Sequence, residues 1–180
     1  KVFIVDKSKE RLAQLHKLFG DKIIPTESDK TDLKKLISEC DLLVGGVLIP
    51  GAEAPKLVTK EMIKSMKRGS VIVDVAIDQG GCVETSKPTT HANPTYLVDD
   101  VVHYCVANMP GGVPRTSTMA LNKATLPLLL KLADQGYKKT LTENKNYLAG
   151  LNVYRGNITF KGVSDAFDLK YIPASDLLKN

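Results

Sequence analysis

The residues most able to do chemistry stand at the ends of short apolar runs. Asp6 closes Val2-Phe3-Ile4-Val5. Asp74 lies inside the run from Val71 to Ile77, and Asp78 follows that run, with Gln79-Gly80-Gly81 after it. Asn108 follows Val106-Ala107 and leads into Met109-Pro110-Gly111-Gly112. A carboxylate placed directly after a buried strand can accept two hydrogen bonds from the vicinal diol of a ribose, and its charge repels a 2′-phosphate. Asp6 therefore points to an adenosine ribose and to NAD rather than NADP. It serves equally well as an acid complementing the dipole of the helix that follows. A carboxylate inside a strand, as at Asp74, needs partners. Asp78 sits beside a turn that two glycines make flexible, which makes it a catalytic candidate and also a plausible cap. Asn108 has the groups to hydrogen-bond a carboxamide or a ribose. Lys87 and His91 are the reactive side chains of a polar loop over residues 82–95, where a lone histidine is ordinarily solvated.

The elements that must position these groups follow from the patterning. The stretch D-L-L-V-G-G-V-L-I-P-G, a segment amphipathic over residues 60–67, and S-V-I-V-D-V-A-I-D-Q-G-G read as strand–helix–strand with a right-handed crossover. In parallel sheets ligands sit outside the carboxyl ends of the strands, so the site is expected among Gly45, Gly46, Val47, Leu48, Ile77, Asp78, Gln79 and Gly80. Upstream, Val2 to Val5 reads as a buried strand, residues 9–19 as a helix capped by Ser8 and stopped by Gly20, Ile23-Ile24 as a short strand, and Ser28-Asp29 as the opening of a helix to Glu39. Downstream, residues 96–98 and 101–106 read as strands. Residues 117–135 form a long apolar helix that Pro127 should kink or divide. Its apolarity nearly all round implies cover from elsewhere. Residues 141–148 and 164–169 read as helices, with a hairpin around Arg155-Gly156 between them; these last segments show no core of their own. No G-x-G-x-x-G fingerprint occurs. Strand-like residues stand at the very start, so the chain is expected to begin inside a fold.

Composition narrows the class. The 180 residues are 43% hydrophobic and 25% charged, as in an ordinary globular protein. The net charge of +5 comes from scattered lysines without an arginine-rich run or basic–aromatic interleaving, which argues against nucleic acid. The three cysteines, Cys40, Cys82 and Cys105, are odd in number and lack metal-ligand spacing. They fit a reducing, cytoplasmic setting. No apolar run has membrane-spanning length.

Three strings are specific enough to carry a resemblance. They are D-L-L-V-G-G-V-L-I-P-G-A-E-A-P-K-L-V-T, then G-S-V-I-V-D-V-A-I-D-Q-G-G-C-V-E-T-S-K-P-T-T-H, then H-Y-C-V-A-N-M-P-G-G-V-P-R-T-S-T. Together they closely resemble alanine dehydrogenases, with the NAD-binding component of proton-translocating transhydrogenase as a nearer relative and saccharopine dehydrogenases as more distant ones. The resemblance implies an α/β fold, an incomplete Rossmann-type parallel sheet with flanking helices. Residues 1 to about 115 would be an NAD-binding domain lacking its first strand and glycine loop. Residues from about 116 to 180 would be a C-terminal helical segment that packs on an absent catalytic domain.

The same resemblance implies that Asp6, Arg11 and Ser28 lie near the adenosine, and that Val47 and Leu48 end a strand under the cofactor. It places Val75, Ala76, Ile77 and Asp78 on the nicotinamide side, with Asp78 the active-site acid. Lys87 stands where family members carry an arginine, and Val106, Ala107, Asn108 and Met109 form the last cofactor segment. The implied reaction is oxidative deamination of L-alanine to pyruvate and ammonia, and its reverse. The histidine, lysine and arginine that handle the substrate belong to the N-terminal half, so this chain alone is expected to be inactive. Family members form homo-oligomers, hexamers among them. The positions that match a metal pair seen in some relatives are Lys131 and Gln135 here, so no metal is carried over. A non-catalytic binding or assembly module, and a transhydrogenase component, are the alternative readings.

Overall fold

The computed structural model describes residues 1–178 as an α/β fold whose strands fall into two parallel ladders and a small hairpin. The first ladder is β1 (Phe3–Asp6) beside β2 (Ile24–Glu27), joined by α1 (Lys9–Phe19). Ser8 caps α1 as its sequence position predicts, its hydroxyl accepting the Arg11 N–H at 3.1 Å, and Gly20 ends it with positive φ. The next helix begins later than expected. Ser28–Lys30 forms one 3-10 turn, and α2 (Leu33–Glu39) is capped by Asp32, whose carboxylate accepts the Lys35 N–H at 3.1 Å. The later cap prevails because the apolar spacing that buries Ile37 starts only at Leu33.

The second sheet has the order β3-β4-β6-β5, formed by Leu42–Gly45, Val71–Asp74, Val101–Tyr104 and Thr95–Val98 respectively. β3, β4 and β6 are parallel, and β5 is an antiparallel edge strand. The β5–β6 hairpin turns on Asp99 and Asp100, both with positive φ, the twist that two-residue hairpins need. α3 (Lys60–Lys64) and α2 cover this sheet. Ile37, Ile63, Ile72, Val83 and Val101 form its core, each almost wholly removed from water.

Asp74 reorganises the stretch that the sequence reads as one strand to Ile77. Its carboxylate, fully buried, ends β4 and accepts the Ala76 N–H at 3.1 Å, which turns Val75–Gln79 into a 3-10 segment. The other oxygen accepts Cys82 N–H at 3.0 Å, Val83 N–H at 3.2 Å and the Ser86 hydroxyl at 2.6 Å. Gly81 is obligatory here. Its φ is +77°, and a Cβ on it would stand 2.7 Å from the Asp74 carboxylate.

His103, also fully buried, lies on the same face of the sheet as Val101 and its register partner Ile72. Its Nδ1 lies 3.0 Å from the Val101 carbonyl, which only accepts, so Nδ1 carries the proton and Nε2 accepts from the Thr85 hydroxyl at 2.7 Å. Its ring stacks on Tyr96 at 5.0 Å. Burial pushes its pKa down.

The C-terminal part has a core that its polar sequence does not reveal. α4 (Pro114–Gln135) runs unbroken through Pro127 and buries no residue; Met119, Leu121, Leu129 and Leu130 stay exposed. After it come α5 (Tyr137–Glu143), α6 (Lys145–Ala149), the β7–β8 hairpin (Val153–Tyr154 with Asn157–Ile158), α7 (Lys161–Phe167) and α8 (Ala174–Leu178). Leu141, Tyr154 and Leu178 close a small cluster with Tyr147, Leu148, Leu151 and Leu177. The hairpin turns, as expected, on Arg155-Gly156, both with positive φ. At the start of α7, Gly162 meets the loop after β3 so closely that a Cβ would lie 2.7 Å from the Pro50 carbonyl.

Removing the Asp74 carboxylate strands its buried donors. Asp74→Ala should lower the unfolding free energy by about 3–5 kcal/mol, read as a shift of the urea midpoint; a shift below about 1 kcal/mol would show that water replaces it freely. Because the folded state lowers the pKa of His103, its stabilising contribution is complete above about pH 6.5 and is lost as the pH falls below that value. The urea midpoint should therefore decline on acidification, and His103→Gln should flatten that decline. An equal slope in both proteins would remove His103 as its source.

Candidate functional site at the carboxyl edge of the parallel strands

The register of the parallel strands sets three chain segments side by side. Gly45 pairs with Asp74, and Val73 pairs with Tyr104, so β3, β4 and β6 end along one edge. These ends lead into Gly46-Val47-Leu48, Val75–Gln79 and the stretch from Cys105 to Met109. Between the first two lies a cleft of about 250 Å³, lined by Gly46, Val47, Leu48, Val75, Ala76, Asp78 and Gln79. All seven were singled out in the sequence, and they share one cleft. The loop that folds back under β3 requires Gly45, where a Cβ would collide with the Cys82 sulfur.

Asp78 is exposed on the 3-10 turn rather than at a strand terminus, and among the described residues its carboxylate takes no hydrogen bond. The turn beneath it is held from both sides. Asp74 anchors its start, and the Lys56 ammonium donates to the carbonyls of Gly80 and, at 2.8 Å, Gly81 at its end. Ile77, predicted beside the cofactor, turns its side chain into the core. Its backbone is committed as well, since its carbonyl accepts the Gly80 N–H at 3.0 Å.

The third segment is shaped by its own contacts. Val106 is buried and bridges Thr89, and Ala107 donates to the Thr89 carbonyl at 3.1 Å. Asn108 is exposed in a left-handed conformation, with Met109 half-buried behind it. His91 Nε2 donates to the Asn108 carbonyl at 3.1 Å, and its ring lies against Gly111 and Gly112. His91 therefore braces this loop while staying exposed, as its polar surroundings imply. Lys87 is exposed, and its backbone N–H donates to the Tyr96 hydroxyl at 2.7 Å.

Asp6, Arg11 and Ser28 gather elsewhere, at the carboxyl ends of β1 and β2, where Asp6 pairs with Glu27. Asp6 Oδ1 accepts the Ser8 N–H at 2.7 Å, which steers the chain into α1. Its Oδ2 takes no hydrogen bond among the described residues. Oδ1 thus serves the start of α1. The Arg11 guanidinium donates to Gln14 at 3.2 Å and the Ser28 hydroxyl to Asp29 at 3.2 Å, both at the surface. A hollow of about 240 Å³ beside α1, lined by Leu12, His16 and Pro25 among others, holds none of the predicted residues.

Sequence reasoning missed Lys56 and Ser86. Lys56 carried a signal, a lone cation in the string P-G-A-E-A-P-K; Ser86 acts only through the fold. Among the described residues no cluster of three or more side chains is arranged to hold a metal, and no helix is long and apolar enough to cross a membrane. Under the cleft, burial and the neighbouring Asp74 charge push the Cys82 thiol up to about 11.

The comparisons with known proteins agree with this geometry. Residues 1–161 match the model of the alanine dehydrogenase/PNT C-terminal domain. The chain belongs to this family. It is 54% identical over 177 residues to the alanine dehydrogenase of Halomonas elongata, and 51% identical over 179 residues to alanine dehydrogenase 2 of Staphylococcus aureus. Those matches cover 98% and 99% of this chain but 48% of each relative, so the chain spans about half their length. Among solved structures, an L-alanine dehydrogenase superposes with a TM-score of 0.79 at 48% identity, over 93% of this chain and 46% of that one. A transhydrogenase from Sinorhizobium meliloti gives 0.62 at 28% identity, over 73% and 37%.

In the native protein at about pH 8, Cys82 and Cys105 should resist a thiol reagent such as Ellman's, since the thiolate is the reactive form and both side chains are buried. Of these three cysteines the half-exposed Cys40 should react first, although burial pushes its thiol up too, and Cys40→Ser should leave no fast phase from this segment until urea is added. A fast-reacting thiol in that variant would show the floor of the cleft to be open.

Proposed function

We propose that the protein containing this chain is an NAD-dependent alanine dehydrogenase. It converts L-alanine, NAD⁺ and water to pyruvate, ammonium and NADH, and runs the reverse reaction. The observation that carries the reading is the 54% identity across nearly the whole chain to an alanine dehydrogenase, together with a cleft built from the residues that the family strings single out. In this reading residues 1 to about 115 bind NAD, and residues from about 116 onward pack against a catalytic domain formed by the part of the relatives outside the match. The free cysteines favour the cytoplasm. The resemblance favours a homo-oligomer.

The residues of this chain fit the cofactor. The unengaged Asp6 Oδ2 is placed to accept a ribose hydroxyl. Val47 and Leu48 offer an apolar wall to a ring, and Val75 and Ala76 a second one. When bound, NAD takes the hydride from C2 of alanine. The imine so formed must then gain water, and Asp78 faces the cleft with its carboxylate unpaired, able to orient that water and to accept its proton. The cations that hold the alanine carboxylate, and the group that moves protons at its nitrogen, are assigned to the other half of the protein.

The transhydrogenase alternative is weaker, since its structural match is looser and covers less of the chain. The full-length protein should reduce NAD⁺ with L-alanine, followed by the absorbance of the reduced cofactor; no alanine-dependent reduction would end the reading. Asp6→Ala should raise the Kd for NADH about tenfold, the loss of one charge-assisted hydrogen bond, and should narrow the preference over NADPH. An unchanged Kd and preference would take Asp6 out of the site.

A further inference from the structure

One polar group at the cleft is not explained by the fold. The amide oxygen of Gln79 is covered by protein and has no hydrogen-bond donor, the only such buried side-chain atom among the described residues. A buried acceptor without a partner ordinarily costs about 1–3 kcal/mol, so native folds retain few of them. The backbone around it is fully employed: the Gln79 carbonyl accepts the Ala54 N–H at 2.8 Å. The side chain makes no hydrogen bond of its own among the described residues, though it lines the cleft beside Asp78.

The position is also held firmly. Asp74 fixes the start of the 3-10 turn, and Lys56 fixes the carbonyls just after Gln79. Such bracing locates the side chain while leaving its amide idle. The fold gives the amide no partner, and its terminal torsion is broad for glutamine, so the amide is left free to turn toward a ligand in the cleft it lines.

We propose that the Gln79 amide pairs with the carboxamide of the nicotinamide ring. The inference rests on the dinucleotide reading of the cleft. The chemistry favours this partner over the substrate. A glutamine amide is neutral and offers one acceptor and two donors, and a carboxamide offers the same set. A substrate carboxylate is matched better by a cation. Gln79 is thus a positioning residue: holding the carboxamide fixes which face of the ring meets the substrate.

The test compares two ligands on the full-length protein. ADP-ribose keeps the adenosine, the pyrophosphate and both riboses but lacks nicotinamide. Gln79→Met has similar length and no polar atoms. It should raise the Kd for NADH roughly tenfold, the worth of one to two neutral hydrogen bonds, and leave the Kd for ADP-ribose within about twofold. The wild type should prefer NAD⁺ to its 3-acetylpyridine analogue, which lacks the amide N–H₂, and Gln79→Met should lose that preference. The melting temperature of ligand-free Gln79→Met should equal or exceed that of the wild type, because the variant removes an unsatisfied buried acceptor. Gln79→Glu keeps the length and an acceptor, and should retain the preference against the analogue.

An unchanged NADH Kd in Gln79→Met overturns the proposal. Equal weakening of NADH and ADP-ribose overturns it too, since the side chain would then only shape the turn. If the wild type binds neither NADH nor ADP-ribose, the dinucleotide reading itself fails.

Discussion

The carboxylate of Asp74 is the constraint on which the rest of the site depends. A buried carboxylate is tolerable only when its lone pairs are occupied, and here they are filled by three backbone N–H groups and a hydroxyl drawn from the segment between Ala76 and Ser86. That one group ends the central strand, coils the chain into the turn that carries Asp78, and pulls the following loop back beneath the sheet edge. The two glycines that touch this knot follow from it. Gly81 must accept positive φ against the carboxylate, and Gly45 must leave room for the Cys82 sulfur. Cys82 in turn becomes a small buried filler whose thiol is held protonated, not a nucleophile.

Around this rigid knot the cleft keeps its own polar groups uncommitted. Asp78 has no partner among the described residues, Gln79 has an orphaned oxygen, and Leu48 and Val75 expose apolar surface. The orphaned oxygen costs stability in the ligand-free protein, whereas the exposed Asp78 carboxylate is solvated. Functional sites often carry such local inconsistency, because groups satisfied within the fold have nothing left to offer a ligand. His103 is the opposite case. That histidine has both ring nitrogens satisfied and a stacked tyrosine, and nothing in its surroundings calls for a ligand.

The two clusters of predicted cofactor residues lie on different ladders. Asp6, Arg11 and Ser28 belong to β1 and β2, while the cleft belongs to β3, β4 and β6, and no hydrogen-bonded ladder joins them among the described residues. The apolar residues Val2, Phe3, Leu42 and Val44 remain exposed at the strands of these two sheets. A dinucleotide spanning both clusters needs them held at a set distance.

Much of this was legible in the sequence, because its carriers are local. Apolar runs closed by small or acidic residues marked β1, β3 and β4, Ser8 and Gly20 bounded α1, and Arg155-Gly156 announced its hairpin. The strings around Asp78 and Asn108 identified the family. What remained hidden was set by contacts distant in the chain. Asp74 reads locally as an awkward residue in a strand, and only its reach to Cys82, Val83 and Ser86 shows that the strand stops there. The small C-terminal cluster is invisible in the sequence because Leu141, Tyr154 and Leu178 are far apart along it and meet only when the helices fold together. Sequence alone thus determined the class, the family and the edge at which the singled-out residues gather, since periodicity and motif are properties of neighbouring residues. Tertiary structure decided which side chains at that edge are consumed in holding it and which stay free, since hydrogen-bond partnership depends on residues that the sequence keeps far apart.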